Sequence, residues 1–111
     1  MYKLCNIDIE HRKKVYKDLS IFMKRLKDMP QIKEVYIYGS FAQGDIHEGS
    51  DIDLIIVGDF KGRMFQRIAQ ITSLTELPVE PLVYTKEEFA AKKEYGNSFI
   101  LNVLKHAKKV I

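Results

Sequence analysis

The segment from residue 51 to residue 57, Asp-Ile-Asp-Leu-Ile-Ile-Val, constrains the fold more than any other part of this chain. Its last four residues are apolar and mostly β-branched, which favours a strand that is buried on both faces. Gly58-Asp59 follows it and closes the strand. The chain must therefore build a sheet around this strand. Two aspartates, a residue type that strands disfavour, stand at its beginning.

The rest of the chain predicts helices and further strands around this one. One apolar stripe indicates a helix from about residue 8 to residue 29, which Pro30 helps to stop. The stripe consists of Val15, Leu19, Phe22, Leu26 and Met29. Strands are predicted at residues 35–38, which Gly39 ends, and at residues 79–84.

Three more helices complete the predicted elements. One fills residues 63–74, and another starts at Lys86 behind a capping box formed by Thr85 and Glu88. The last follows Gly96-Asn97 and has an apolar inner face. That face contains Phe99, Ile100, Val103, Leu104 and Ala107. The order of elements predicts an α+β fold, with a small mixed sheet flanked by helices on one side. At 111 residues, we expect a single domain spanning residues 1–111.

Composition and charge exclude several classes of protein. Hydrophobic residues make up 46% and charged residues 30% of the chain, which is typical of a globular protein. No apolar run approaches the roughly 20 residues of a membrane span, and the N-terminus lacks a signal-peptide core. The single cysteine, Cys5, excludes an internal disulfide and favours the cytoplasm. A net charge of +3 gives no strong sign of nucleic-acid binding, and the basic run from Arg12 to Lys27 fits a solvated helix face.

The two aspartates of the central strand, Asp51 and Asp53, are placed against their own electrostatics. Side chains two residues apart on a strand point to the same face, with Cα atoms roughly 6.5–7 Å apart. Two negative charges at that distance repel by roughly 2.4 kcal/mol at an effective dielectric constant of 20. The sequence has no Lys or Arg within seven positions of either aspartate. A divalent cation such as Mg²⁺ is the simplest group that would stabilise the pair.

A glycine bend precedes this strand along the chain. Gly39-Ser40 follows a predicted strand and opens a short predicted helix at residues 41–43. Such a bend directs backbone N–H groups outward, where they bind anions, and glycine lets a phosphate approach closely. No Gly-Lys-Ser/Thr sequence follows, so the bend is not a Walker motif. The bend offers donors to a triphosphate, and the next strand offers carboxylates to the metal ions on that triphosphate.

Gly39-Ser40, ten intervening residues and Asp51-Ile52-Asp53 together resemble the signature of the DNA polymerase beta nucleotidyltransferase superfamily. The small size resembles the minimal nucleotidyltransferases of that superfamily. The resemblance implies transfer of a nucleoside monophosphate, expected to be AMP from ATP, to a hydroxyl acceptor. It also implies that Gly39 and Ser40 hold the β- and γ-phosphates, with Ser50 as a further nucleotide-binding residue. Asp51 and Asp53 would ligate Mg²⁺, two ions being expected with the bound nucleotide.

Members of this superfamily usually have a third carboxylate on a neighbouring strand. Glu80 is the acid within the predicted strand 79–84, so it is the residue expected to hold metal and to accept the proton of the attacking hydroxyl. Glu76 is the alternative if the strand register differs. The family more often has Asp at this position, and Gln43 replaces a basic residue that many relatives have.

At this size we expect no separate domain that holds the acceptor, so a partner protein is expected to supply the acceptor or to hold it. The resemblance implies an antitoxin paired with a helical HEPN-type toxin, which it would modify on tyrosine. Two alternatives remain open: a module that binds nucleotide or masks its partner without catalysis, and a plain structural α+β domain. The broad apolar face of the last helix also allows contact with another chain, including a second copy.

Overall fold

The computed structural model of the chain describes residues 2–39 and 51–111, with side chains described from residue 13 onward. The elements run in the order α1, β1, β2, α2, β3, α3, α4, β4. Their bounds are Tyr2–Lys27, Ile32–Tyr38, Ile52–Gly58, Met64–Thr72, Val79–Tyr84, Lys86–Glu94, Ser98–His106 and Lys108–Lys109. The sequence predicted all of these except β4, although α1 begins about six residues and β1 three residues before the predicted starts. The short helix predicted at residues 41–43 lies outside the described residues.

The strands form one four-stranded mixed sheet in the order β3-β2-β1-β4. β2 pairs with β1 in the antiparallel direction and with β3 in the parallel direction. The parallel pair requires a crossover, which α2 provides. β4 extends the sheet by two residues beside β1. The predicted α+β class and mixed sheet are confirmed.

The helices cover both faces of the sheet, so the predicted placement on one side is wrong. Leu54 and Ile56 of β2 belong to a core that includes residues of α1 and α2. Ile55 and Val57 belong to a second core that includes residues of α3 and α4. Successive side chains of a strand point to opposite faces, so four consecutive apolar residues need cover on both. The apolar run of β2 is what requires this arrangement.

Helix α1 confirms the apolar stripe from Val15 to Leu26; it begins earlier than predicted and ends at Lys27, before Met29. Phe22 and Leu26 are fully buried against the sheet, whereas Val15, Leu19 and Met29 are partly buried. The opposite face of α1 is exposed and carries the lysines described for this helix, as expected for a solvated helix face. Within the described part of the chain, no helix is both long enough and apolar enough to span a membrane.

A buried arginine joins α2 to the start of α3. Arg67 is 8% exposed, and its Nη1 donates to Glu88 Oε1 at 2.6 Å and to the carbonyl oxygen of Val83 at 3.2 Å. The same Glu88 oxygen accepts from the backbone N–H of Thr85 at 2.8 Å, and Thr85 Oγ1 accepts from the N–H of Glu88 at 3.1 Å. The predicted capping box is confirmed, and the arginine connects it to the crossover helix.

Replacing Glu88 by Ala should destabilise the fold, because it removes a helix cap and leaves a buried guanidinium without its carboxylate. We expect the free energy of unfolding to fall by about 2 kcal/mol in urea denaturation. Glu87→Ala removes a carboxylate from the same helical turn and should change it by less than about 0.5 kcal/mol. Equal losses for the two variants would contradict the role given to the arginine contact.

The same contact predicts a pH dependence. The hydrogen bond from Arg67 holds the pKa of Glu88 below its usual value. A lowered pKa in the folded state contributes stability that is complete above the ordinary glutamate range and lost as the pH falls through the folded pKa. Glu88→Gln should therefore make the free energy of unfolding less dependent on pH between about pH 5 and pH 3. An unchanged slope in denaturation measured across that range would contradict this assignment.

Candidate functional site

Three side chains form a line across one end of the sheet. Tyr38 on β1 pairs with Asp53 on β2, and Asp53 pairs with Glu80 on β3. Residues paired directly on neighbouring strands point to the same face, here the face covered by α3 and α4.

Asp51 precedes β2 immediately and is exposed. We call Asp51, Asp53 and Glu80 the acidic row.

The glycine bend meets the acidic row. Gly39 ends β1 with a φ of +75°, in the left-handed region that favours glycine. A Cβ atom at Gly39 would lie 2.5 Å from Asp53 Oδ2, closer than real carbon atoms approach an oxygen. The backbone of Gly39 thus lies against the carboxylate of Asp53, which would have to move to admit a side chain.

The acidic row is electrostatically crowded. Hydrogen bonding with Asp51 and the negative charge of Asp51 raise the pKa of Glu80, and Asp53 adds to the effect. Partial burial is the main cause that raises the pKa of Asp53; the charge of Asp51 adds to it, and a hydrogen bond with Glu80 opposes it. Within residues 13–39 and 51–111, no Lys or Arg forms an ion pair with the row. The row therefore favours protons or an added cation.

Tyr38 is a member of this site that the sequence analysis missed. Burial raises the pKa of Tyr38 to about 12, and the charges of Asp53 and Glu80 contribute. The phenol therefore stays protonated and able to donate a hydrogen bond at neutral pH. A usable signal was present in the sequence, because Tyr38 is the last strand residue before the bend and shares a strand face with Tyr36.

The donor set of the acidic row fits Mg²⁺. Carboxylate oxygens are the ligands this ion prefers, and it is usually held by one or two carboxylates together with waters and substrate phosphates. Among the described residues, no group of three or more His, Cys, Asp or Glu side chains, the acidic row included, is arranged to hold a metal ion.

The structure brings together four of the residues predicted for the site: Gly39, Asp51, Asp53 and Glu80. The alternative acid, Glu76, is exposed and lines a groove beside α1 with Asp18 and Arg25. The register therefore places Glu80, and not Glu76, beside Asp53. β3 is an edge strand, a position that suits Pro81 because proline lacks a backbone N–H. The other two predicted nucleotide-binding residues, Ser40 and Ser50, lie outside the described residues, as does Gln43.

Two solved structures resemble the fold. One is described as a putative nucleotidyltransferase from Sulfolobus solfataricus, with 26% identity, a TM-score of 0.55 and coverage of 78% of both chains. The other is a toxin-antitoxin structure with AMP-PNP, with 17% identity, a TM-score of 0.53, and coverage of 79% of this chain and 68% of that one. The second likeness concerns the fold alone.

Sequence relatives and a family profile give the same assignment. Two proteins of Methanocaldococcus jannaschii carry the name "putative protein adenylyltransferase". One is 55% identical over 29 residues, which is 26% of this chain and 29% of that relative. The other is 29% identical over 77 residues, which is 69% of this chain and 74% of the relative. The family profile described as Nucleotidyltransferase domain matches residues 19–110. The predicted family is confirmed: this chain belongs to the nucleotidyltransferase domain family.

Proposed function

We propose that this protein transfers AMP from ATP to a hydroxyl group of a partner protein, in a reaction that depends on Mg²⁺. One observation carries the proposal: the backbone of Gly39 lies against Asp53 Oδ2, at the middle of the acidic row. A phosphate-binding bend and metal-binding carboxylates can act on the same triphosphate only when they lie this close together. Neither feature alone distinguishes this chain from an ordinary α+β domain.

Each residue of the site has a role in the proposed reaction. The bend at Gly39 presents backbone N–H groups to the β- and γ-phosphates, and Ser40 and Ser50 are proposed to add hydroxyl donors. Asp51 and Asp53 are proposed to hold Mg²⁺ together with Glu80. When bound there, the ions would neutralise the triphosphate and stabilise the charge that develops on the attacking and leaving oxygens.

Glu80 is proposed to accept the proton of the attacking hydroxyl. The register that pairs Glu80 with Asp53 puts its carboxylate beside the proposed metal ligands, where the attacking hydroxyl would approach. As the acceptor oxygen forms its bond to the α-phosphorus, the bond to pyrophosphate breaks. The acceptor proton passes to the Glu80 carboxylate. The leaving group is pyrophosphate, and the product is an AMP ester.

The relatives support the proposal of a protein acceptor and a toxin partner. The names of the two Methanocaldococcus proteins describe adenylyl transfer to protein, which favours a protein acceptor. The toxin-antitoxin structure provides a precedent for this fold within such a pair. We therefore propose a role as the antitoxin of a pair, with a helical HEPN-type toxin as the partner that is modified. A cytoplasmic location is part of the same proposal.

Radiolabelled ATP tests the reaction directly. The protein is incubated with Mg²⁺ and with the product of the neighbouring gene, using ATP labelled at either the α- or the γ-phosphate. Label should reach the partner only from the α-position. Asp53→Asn should reduce the initial rate by about 100-fold or more, since a metal ligand supports several kcal/mol of transition-state stabilisation.

Asp59→Asn is the matched control, because Asp59 is exposed beyond the other end of β2, 4.0 Å from Lys33 Nζ. It should retain the wild-type rate. Transfer of the γ-label would indicate phosphoryl transfer and contradict the proposal. Equal labelling by Asp53→Asn would contradict the assignment of the site. Neutralisation of the partner without any labelling would instead support a masking module.

Gly39→Ala tests the contact that carries the proposal. Gly96 provides a matched control, because it has a φ of +71° and a Cβ there would meet nothing within 4 Å. Both alanine variants should lose about 1–2 kcal/mol of stability from the left-handed backbone. Gly39→Ala should in addition weaken binding of Mg-ATP, because its Cβ displaces the Asp53 carboxylate. Equal Mg-ATP affinities in calorimetric titrations of the two variants would contradict a phosphate-binding role for the bend.

A further inference from the structure

The first turn of α4 presents an aromatic ring to solvent beside the site. The sequence predicts that Phe99 faces the core together with Ile100. In the structure Ile100 is 1% exposed, whereas Phe99 is 50% exposed. Asn97 caps the helix, and its Oδ1 accepts from the N–H of Ile100 at 3.0 Å. Phe99 is therefore an exposed ring on a capped helical turn.

Phe99 is connected to the acidic row through one side chain. Its ring lies edge-to-face with that of Tyr38, with centroids 6.1 Å apart and planes at 82°. Tyr38 pairs with Asp53 in the sheet, and the charges of Asp53 and Glu80 act on its hydroxyl. An edge-to-face contact fixes a ring without covering both of its faces. Phe99 thus borders the site and keeps surface free for a ligand.

We propose that Phe99 stacks on the base of the bound nucleotide. The inference rests on the proposed function, which places the phosphates at Gly39 and the acidic row. In any nucleotide a ribose separates the α-phosphate from the base, so the base must contact the protein a short distance from the metal-binding carboxylates. Tyr38 lies between Asp53 and Phe99, because it pairs with Asp53 in the sheet and its ring centroid is 6.1 Å from that of Phe99.

Stacking also determines which nucleoside triphosphates the site prefers. Every base has a π-face, so an aromatic platform tolerates all four bases and discriminates weakly among them. Purines offer a larger face than pyrimidines. Phe99 therefore favours ATP and GTP over CTP and UTP. Phe65 is also an exposed ring, at 65% exposure, but it lies on α2, which follows the end of β2 opposite to the acidic row. Phe99 is therefore the exposed ring that we assign to the base.

Calorimetric titration with Mg-ATP and with magnesium tripolyphosphate tests the inference, because tripolyphosphate has no base. Phe99→Ala should weaken binding of Mg-ATP by about 10-fold, the usual loss for one base–aromatic stack. It should leave tripolyphosphate binding unchanged. Phe99→Trp should restore Mg-ATP binding, which separates stacking from a loss of folding. Leu101→Ala removes a side chain that is 41% exposed on the same helix and should change neither affinity.

The outcomes distinguish this inference from the proposed function. Wild-type protein that binds neither ligand would overturn both. Wild-type binding of Mg-ATP that Phe99→Ala leaves unchanged would overturn the stacking role alone. Unchanged Mg-ATP binding with a weaker complex between Phe99→Ala and the partner would assign the ring to protein contact instead. Equal losses for Mg-ATP and tripolyphosphate would show that Phe99 acts on the phosphates, again overturning the stacking role.

Discussion

Crowding of negative charge at one end of the sheet is the constraint on which the site depends. The parallel pairing of β2 with β3 places Asp53 beside Glu80, and the start of β2 places Asp51 next to both. The raised pKa of Glu80 reflects that crowding, whereas burial is the main cause of the raised pKa of Asp53. The fold maintains it because β2 is fixed by apolar residues on both faces, so its acidic end cannot turn away without exposing the core.

The surrounding elements serve to hold this end of the sheet. The crossover through α2 makes the pairing with β3 parallel, and Arg67 joins that helix to the capping box of α3. Helix α4 then lies over the same face and brings Phe99 to the ring of Tyr38. A substitution in one of these helices would therefore affect the acidic row through packing, even where the substituted residue contacts none of the row's carboxylates.

Local sequence predicted most of this arrangement, and non-local contacts explain the rest. Apolar patterning determined β2 and α1, and the Thr85–Glu88 pair determined the start of α3. Strand β4 could not be predicted, because Lys108-Lys109 has no apolar alternation and becomes a strand only by pairing with β1. The covering of both faces was also missed, since it depends on which way each helix crosses the sheet. The exposure of Phe99 depends on where α4 begins relative to that sheet.

Paramagnetic broadening by Mn²⁺ in the presence of a non-hydrolysable ATP analogue tests the central claim most directly. Substoichiometric Mn²⁺ should first broaden the amide NMR signals of Gly39, Asp53 and Glu80, because the proposed function places the ion and the triphosphate between the bend and the carboxylates. Signals at the opposite end of β2, around Asp59, should remain sharp. Broadening centred away from the acidic row, or none with the nucleotide bound, would contradict the account.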